Sequence, residues 1–436
     1  MIRFRFFTLA STLALGLGLA GPALAESQPA FGTFGFDTAG MDTSVRPGDD
    51  FYTYANGGWL KSTPIPEDKS NYGMFTVLAD QAEAQIRAII EELAASRAEP
   101  GSESWKIGTL YADFMNEAAI EQAGLAPARP ELDRINAIAS QQDLAAAFAR
   151  MATLSVNQPF EMYVGQDRKA PDVYVPYLGQ GGLGLPDRDY YLDDNPNFAA
   201  VREKYKQHIA NMFRLAGVAE ADAMAKAEAI YAVEEAMARV HWSRGDSRDR
   251  DKTYNKRTLA QLQAEAPGFD WATFLSAMRL NNQPAFLVAQ PSAFTGMAAI
   301  IARTPLQTWK DYLTFHYLSG YAGVLPKAFV EEDFDFSGRT LSGIPELKAR
   351  WKRGVDLVES ALGEAVGKLY VQRHFPPEAK AAADRLVQNV ILAYGQRIDQ
   401  LDWMSPETKA KAREKLAKFN PKIGYPSKWR DYTNFE

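Results

Sequence analysis

The sequence predicts a mainly α protein, a large multi-helix lobe with a small antiparallel β hairpin near residues 158–180. Three observations predict it. Apolar residues recur at three- and four-residue steps through most of the chain, the period of helices buried on one face. One stretch breaks that period: Phe160-Glu161-Met162-Tyr163-Val164 and Val173-Tyr174-Val175-Pro176-Tyr177-Leu178 are β-prone and flank the polar Gln166-Asp167-Arg168-Lys169. Strands and helices do not alternate as a doubly wound sheet requires.

Composition narrows the function classes. The chain has 436 residues, 46% hydrophobic and 23% charged, which suits a folded protein of two or three domains or one large helical body. Its net charge is -6 with acids and bases interspersed, so it lacks the basic stripe of a nucleic-acid binder. Cysteine is absent, which excludes disulfides, thiolate metal sites and cysteine nucleophiles.

Taken in order, residues 1–25 read as a signal peptide: a basic start at Arg3 and Arg5, an apolar run from Phe6 to Leu19, and Ala23-Leu24-Ala25 as the cleavage site. An uncleaved membrane anchor is the alternative, although the run is short for a span. The expected location is periplasmic or secreted, in a bacterium. Residues 26–48 form an extended lead-in rich in Gly, Ser, Thr and Pro, and residues 49–436 the helical domain. Phe75, Leu78, Ala82, Ile86, Ile89 and Leu93 lie on one apolar stripe of a first long helix. Further helices are expected at 103–116, 130–138, 142–154, 198–215, 221–242, 258–265, 271–278, 306–319, 326–332, 344–373, 377–401 and 406–418. The last starts on Ser405 as N-cap with Pro406 in its first turn. Pro176 places the second hairpin strand at a sheet edge.

Several motifs invite chemistry and fail its requirements. Gly179-Gln180-Gly181-Gly182-Leu183-Gly184 fits a dinucleotide fingerprint, but Leu185-Pro186-Asp187 follows where a helix must begin, so it reads as a turn. His208, His241, His316 and His374 show no zinc-ligand spacing. Asp49-Asp50, Asp187-Arg188-Asp189 and Asp249-Arg250-Asp251 could offer paired carboxylates to a metal-independent hydrolase, but read first as turns and caps. The dispersed tryptophans read as packing anchors.

Together, in order, a set of blocks resembles the neprilysin and endothelin-converting-enzyme (M13) zinc metallopeptidases. The blocks are Met41 to Tyr52 with Asn56-Gly57-Gly58-Trp59-Leu60, Pro64-Ile65-Pro66, Tyr72-Gly73-Met74-Phe75, Gly182 to Tyr191, Tyr254-Asn255-Lys256, Leu401 to Lys409, and Ile423-Gly424-Tyr425-Pro426. The resemblance implies the N-terminal part of a two-lobed enzyme, a helical region that closes over a thermolysin-like lobe and admits peptides. It implies Zn²⁺ held by the two histidines of H-E-x-x-H and a downstream glutamate, beyond the block at 423–426. No catalytic residue or metal ligand is therefore expected in this chain, and the metal-binding lobe is the expected missing partner beyond Glu436. Taken alone the chain is expected to be inactive. The resemblance also carries substrate-binding roles onto three positions. Asn71 and Thr76 stand where related enzymes place an arginine that clamps a peptide carboxylate and an aspartate that supports it. An amide cannot make that bidentate bond, which implies internal cleavage. Phe75 matches a residue shaping the pocket beyond the scissile bond; its stripe position gives core packing as the competing role. Asn56 holds the place of a disulfide cysteine of animal members. The non-enzymatic alternative is a periplasmic helical peptide-binding or scaffolding module.

Overall fold

A computed structural model describes residues 38–435. The expected signal peptide and residues 26–37 lie outside the described residues. The chain divides into two units between Ile65 and Pro66.

In the first unit, helix α1 (Phe51–Ser62) starts where the Asp50 carboxylate accepts the Thr53 N–H at 2.9 Å. The preceding segment is tied to it by Lys61, whose Nζ donates to Asp42 at 2.6 Å. A Cβ on Gly57 would fall 2.6 Å from Asp42 Cβ, and one on Gly58 would fall 2.8 Å from the carbonyl oxygens of Ala39 and Met41. The Gly-Gly pair is thus the crossing point of two backbone segments, where no side chain fits.

The second unit opens with α2 (Met74–Ala95), α3 (Glu103–Met115), α4 (Glu117–Ala123), α5 (Arg129–Asn136) and α6 (Gln141–Thr153). Strands β1 (Phe160–Asp167) and β2 (Ala170–Gln180) follow, then α7 (Asp189–Leu192), α8 (Pro196–Leu215), α9 (Glu220–Val240), α10 (Arg244–Arg248), β3 (Lys256–Arg257), α11 (Leu259–Glu265) and α12 (Trp271–Ala277). The remainder is β4 (Phe286–Val288), α13 (Pro291–Arg303), α14 (Leu306–Gly320), α15 (Lys327–Phe334) with a π-helical turn Asp335–Leu341, α16 (Arg350–His374), α17 (Pro377–Gln400) and α18 (Pro406–Ala417). Local chemistry sets many starts. Ser102, Ser140 and Asp270 each accept an N–H three residues on, and Thr258 and Gln261 close a capping box on α11. Ser405 caps α18 through the Thr408 N–H at 3.2 Å, with Pro406 first in the helix, as its sequence indicates.

The hairpin forms as expected, with Phe160 opposite Gln180 and Val164 opposite Pro176. It belongs to a mixed four-stranded sheet ordered β1-β2-β4-β3. This corrects the edge reading of Pro176, because β2 lies between β1 and β4. The physical reason is local: β4 runs parallel to β2 only at Tyr177 and Leu178, so Pro176, though paired with Val164 of β1, sits just outside the β2–β4 pairing. Other elements depart from expectation: helices α1, α4, α7, α10 and α13 and strands β3 and β4 are not among those the sequence indicates, and α16 starts later than expected. Helix α13 buries a stripe of Ala293, Phe294, Met297, Ala298, Ile300 and Ile301, blurred in sequence by the exposed Ala299 and Ala302, and α16 begins at Arg350 because Pro345 and the turn before it cannot continue a helix.

The main core packs rings on rings. Phe160 lies 4.6 Å from Trp271 and 5.1 Å from Phe294, and Phe148 meets Trp309 edge-on at 5.3 Å. A second core joins α2, α3 and α16 through Ile90, Ile107, Tyr111, Val355, Val358 and Leu362, closed by Tyr432. Helices α17 and α18 bury no residue.

Candidate functional site

The three sequence-marked positions sit at the entry to α2. The loop before the helix is fixed: Lys352 pairs with Asp68, the Glu346 N–H donates to the Glu67 carbonyl at 3.0 Å, and Lys69 and Tyr72 both reach Asp80, at 2.9 and 3.2 Å. The Lys352 ammonium holds the Asp68 carboxyl below its usual range. On that support Phe75 stands 91% exposed, and Leu78 one turn on is also exposed. Core packing therefore does not explain Phe75. The stripe is buried only farther along α2, at Ile89 and Ile90 and partly at Ile86 and Leu93. Asn71 is exposed and its amide reaches only Ser70, at 3.3 Å. Thr76 is half-buried in the first turn, its N–H donating to the Gly73 carbonyl at 2.9 Å.

Other apolar groups face solvent on the same unit. Along α17, Leu386, Val390 and Tyr394 follow each other at four-residue steps and are exposed, while Val387, Ile391 and Ile398 on the other side are half-buried. Trp403, in the loop to α18, is 74% exposed.

The glycine-rich block is structural at its centre. A Cβ on Gly184 would fall 1.7 Å from the Tyr205 hydroxyl oxygen. Beneath it lies Glu234, fully buried, an acid the sequence reading missed because α9 shows nothing to set it apart. Its carboxylate accepts from Tyr191 at 2.7 Å, Tyr205 at 3.0 Å and the Gly184 N–H at 3.3 Å, and His316 Nε2 lies 2.8 Å away. Burial first, and the Glu234 charge second, push the Tyr191 and Tyr205 phenols far above their usual range. The Tyr-Asn-Lys block pins the sheet. Tyr254 donates to Asp167 at 2.8 Å, Lys256 pairs with the same carboxylate, and the Val288 N–H donates to the Asn255 carbonyl at 2.9 Å. At the last block, Gly424 adopts φ of +76° and Tyr425 stacks on Trp429 at 5.8 Å.

The Asp-Arg-Asp runs are turns. Asp187 accepts the Asp189 N–H at 2.7 Å, and Asp249 accepts those of Asp251 at 2.9 Å and Lys252 at 3.1 Å. The histidines are dispersed: His208 lies against Glu332 at 3.1 Å, His316 against Glu234, and His374 packs on Tyr370. Among the described residues no three His, Cys, Asp or Glu side chains group to hold a metal ion. Structural and catalytic zinc alike need three or four such ligands, so the described residues do not fit Zn²⁺. Among the described residues no helix is long and apolar enough to cross a membrane.

Comparison with known proteins places these features. Residues 47–426 match the family described as Peptidase family M13. Endothelin-converting enzyme 1 of Mus musculus is 29% identical over 406 residues, covering 89% of this chain and 51% of that protein. Membrane metallo-endopeptidase-like 1 of Homo sapiens is 28% identical over 412 residues, covering 88% and 52%. The chain thus spans about half the length of these curated relatives. Among solved structures, the Mycobacterium tuberculosis zinc metalloprotease Zmp1 bound to an inhibitor superposes with a TM-score of 0.86 at 42% identity, over 92% of this chain and 60% of that one.

Proposed function

From the premise that this chain belongs to peptidase family M13, shown by the match over residues 47–426, we propose that it is the substrate-enclosing N-terminal part of an exported zinc metalloendopeptidase. In this reading the zinc ligands and the general base are supplied by a C-terminal catalytic lobe. The task of the present residues is to bury and select. Helices wall off the reaction space, restrict entry to peptides and strip water from the bound chain. We further propose that Phe75 meets substrate and that Asn71 and Thr76, lacking a guanidinium-carboxylate pair, leave the peptide's C-terminal carboxylate unclamped. The enzyme then cleaves internally, in the periplasm or outside the cell.

The observation that carries this reading is the exposed apolar set at the start of α2 and along α17. Large apolar side chains of this kind are left to water where a partner or substrate covers them. The test uses the full-length product, including the catalytic lobe, and measures peptide cleavage with and without chelator. Chelator-sensitive cleavage, insensitive to whether the peptide ends in a free carboxylate or an amide, is expected. Phe75→Ala is expected to raise KM several-fold with the fold intact, and Asn71→Arg to introduce a preference for free carboxylates. Cleavage that persists in chelator points to carboxylate chemistry. Peptide binding without cleavage points to the helical binding module.

A further inference from the structure

Three guanidinium groups meet at one open cavity that no carboxylate lines. The cavity, of about 510 Å³, is walled by the β1–β2 hairpin and by the stretch from Ser247 to Thr253; Arg168, Arg248, Arg250, Tyr163, Tyr177 and Thr253 stand in its wall.

Arg168, in the hairpin turn, is fixed by neutral oxygens. Its Nη1 donates to the Thr253 hydroxyl at 3.2 Å and its Nη2 to the Thr253 carbonyl at 2.7 Å, and Thr253 is buried. Asp167 beside it is engaged elsewhere, accepting from Tyr254 at 2.8 Å and from the Lys169 N–H at 2.9 Å and pairing with Lys256. The Arg248 and Arg250 side chains are exposed and, among the described residues, enter no ion pair or hydrogen bond. The acids near them in sequence are turned away: Asp246 takes the Lys252 ammonium at 2.7 Å, Asp249 accepts the N–H groups of Asp251 and Lys252, and Asp251 is exposed outside the cavity wall. A single exposed arginine needs no partner. Three on one concave wall with no acid among them repel one another, and such a cleft concentrates anions more than scattered surface charges do.

The cavity also has a flat aromatic side. Tyr163 and Tyr177 oppose each other across β1 and β2, their rings parallel to within 4° and 4.7 Å apart. Tyr177 is buried, and its hydroxyl donates to the Gln166 carbonyl at 2.7 Å. Tyr163 rests on it and is 62% exposed. Gly165 carries the strand past both rings without a side chain; a Cβ there would stand 3.3 and 3.4 Å from their edges. The Arg168 guanidinium lies 5.7 Å from the centre of the Tyr177 ring, so charge and ring are within reach of one ligand. A tyrosine held flat on a buried partner and open to water is a platform on which another ring stacks.

We propose that this cavity binds a small anion of the aryl phosphate class, its phosphate on Arg168, Arg248 and Arg250 and its ring on Tyr163. Guanidinium groups pair with phosphate through parallel N–H donors, which a lone ammonium cannot do. The volume falls within the about 300–1,000 Å³ of small-molecule pockets. The site stands on the geometry of this chain and does not rest on the peptidase reading.

The test is calorimetric titration of the purified 436-residue chain with phenyl phosphate, inorganic phosphate, benzoate and phenol. Phenyl phosphate is expected to bind, inorganic phosphate and benzoate to bind about tenfold more weakly, and phenol more weakly still. Added salt is expected to weaken phenyl phosphate. Arg248→Gln and Arg250→Gln are each expected to weaken phenyl phosphate and inorganic phosphate alike, by about fivefold or more. Arg97→Gln, at an exposed arginine outside the cavity, is expected to change neither. Tyr163→Ala is expected to bring phenyl phosphate down to the level of inorganic phosphate and to leave the latter unchanged; Tyr163→Leu, apolar but not flat, gives the same reading with the hairpin better packed. Each replaced side chain is exposed, so the melting temperature is expected to hold. The proposal is overturned if phenyl phosphate does not bind at millimolar concentration, if phenol binds as tightly, if Arg97→Gln weakens binding as much as Arg248→Gln, or if both Tyr163 variants keep the preference for phenyl phosphate over inorganic phosphate.

Discussion

Around Trp271, each large ring meets another ring and none reaches solvent; along α17 and α18, no side chain is buried although Leu386, Val390, Tyr394 and Trp403 are apolar. The two regions follow the same helical rules and differ in what covers them. The first is complete within this chain. The second lies open in this chain, and in the proposed function the catalytic lobe and the peptide cover it. The lesson concerns pattern: an apolar stripe says that a face is buried in the working protein, and does not say by which chain segment.

The largest effect that could break this contrast is a truncation in each region. Trp271→Ala is expected to cost about 3–5 kcal/mol, as for a fully buried aromatic, whereas Trp403→Ala should change stability by less than about 0.5 kcal/mol. Denaturant unfolding of both variants decides it, and equal losses would erase the distinction. Next comes the buried acid under Gly184. Tyr205→Phe removes one donor to Glu234 and is expected to cost about 1–3 kcal/mol, while Tyr394→Phe on α17 should be neutral in the same assay.

Acid sharpens the comparison further. The Lys256 ammonium first, then the Lys169 N–H, hold the Asp167 carboxyl down at about 2. A carboxyl lowered on folding stabilises the fold above its unfolded value near 3.9 and loses that contribution as pH falls towards the folded value. Melting temperature should therefore drop between about pH 4 and pH 2, and Lys256→Met should flatten that drop. The smallest effect on stability is expected from the pair Leu386→Glu and Tyr394→Glu. It should leave unfolding nearly unchanged, reduce binding of an apolar dye to this chain, and abolish cleavage by the full-length enzyme.

Much of this architecture could be read from sequence. Helix starts carried explicit signals, as at Ser405-Pro406, and the hairpin announced itself through a polar turn between β-prone runs. What escaped did so for physical reasons. Lys256–Arg257 and Phe286–Val288 are too short to show a period, and their place in the sheet depends on contacts distant in sequence. Helix α13 buries Ala293, Phe294, Met297, Ala298, Ile300 and Ile301 and leaves Ser292 and Thr295 exposed, but its small residues Ala299 and Ala302 on the exposed side blur that stripe in the sequence. Glu234 looks like any helical acid until the fold brings Tyr191, Tyr205 and His316 onto it. At the candidate site, the residue types at Asn71, Phe75 and Thr76 could be read directly, but the exposure of Phe75 could not, since its position in the stripe favoured burial. His241 gave no spacing signal; only the folded chain shows its Nε2 buried without a partner.

The central claim is that these residues supply enclosure and not the metal. Its most direct test is the zinc content of the purified 436-residue chain after equilibration with excess Zn²⁺ and gel filtration, read together with peptide cleavage by the same sample. The account predicts far less than one zinc per chain and no chelator-sensitive cleavage, with both appearing when the proposed catalytic lobe is present. One tightly held zinc per chain, or chelator-sensitive hydrolysis by this chain alone, would contradict it.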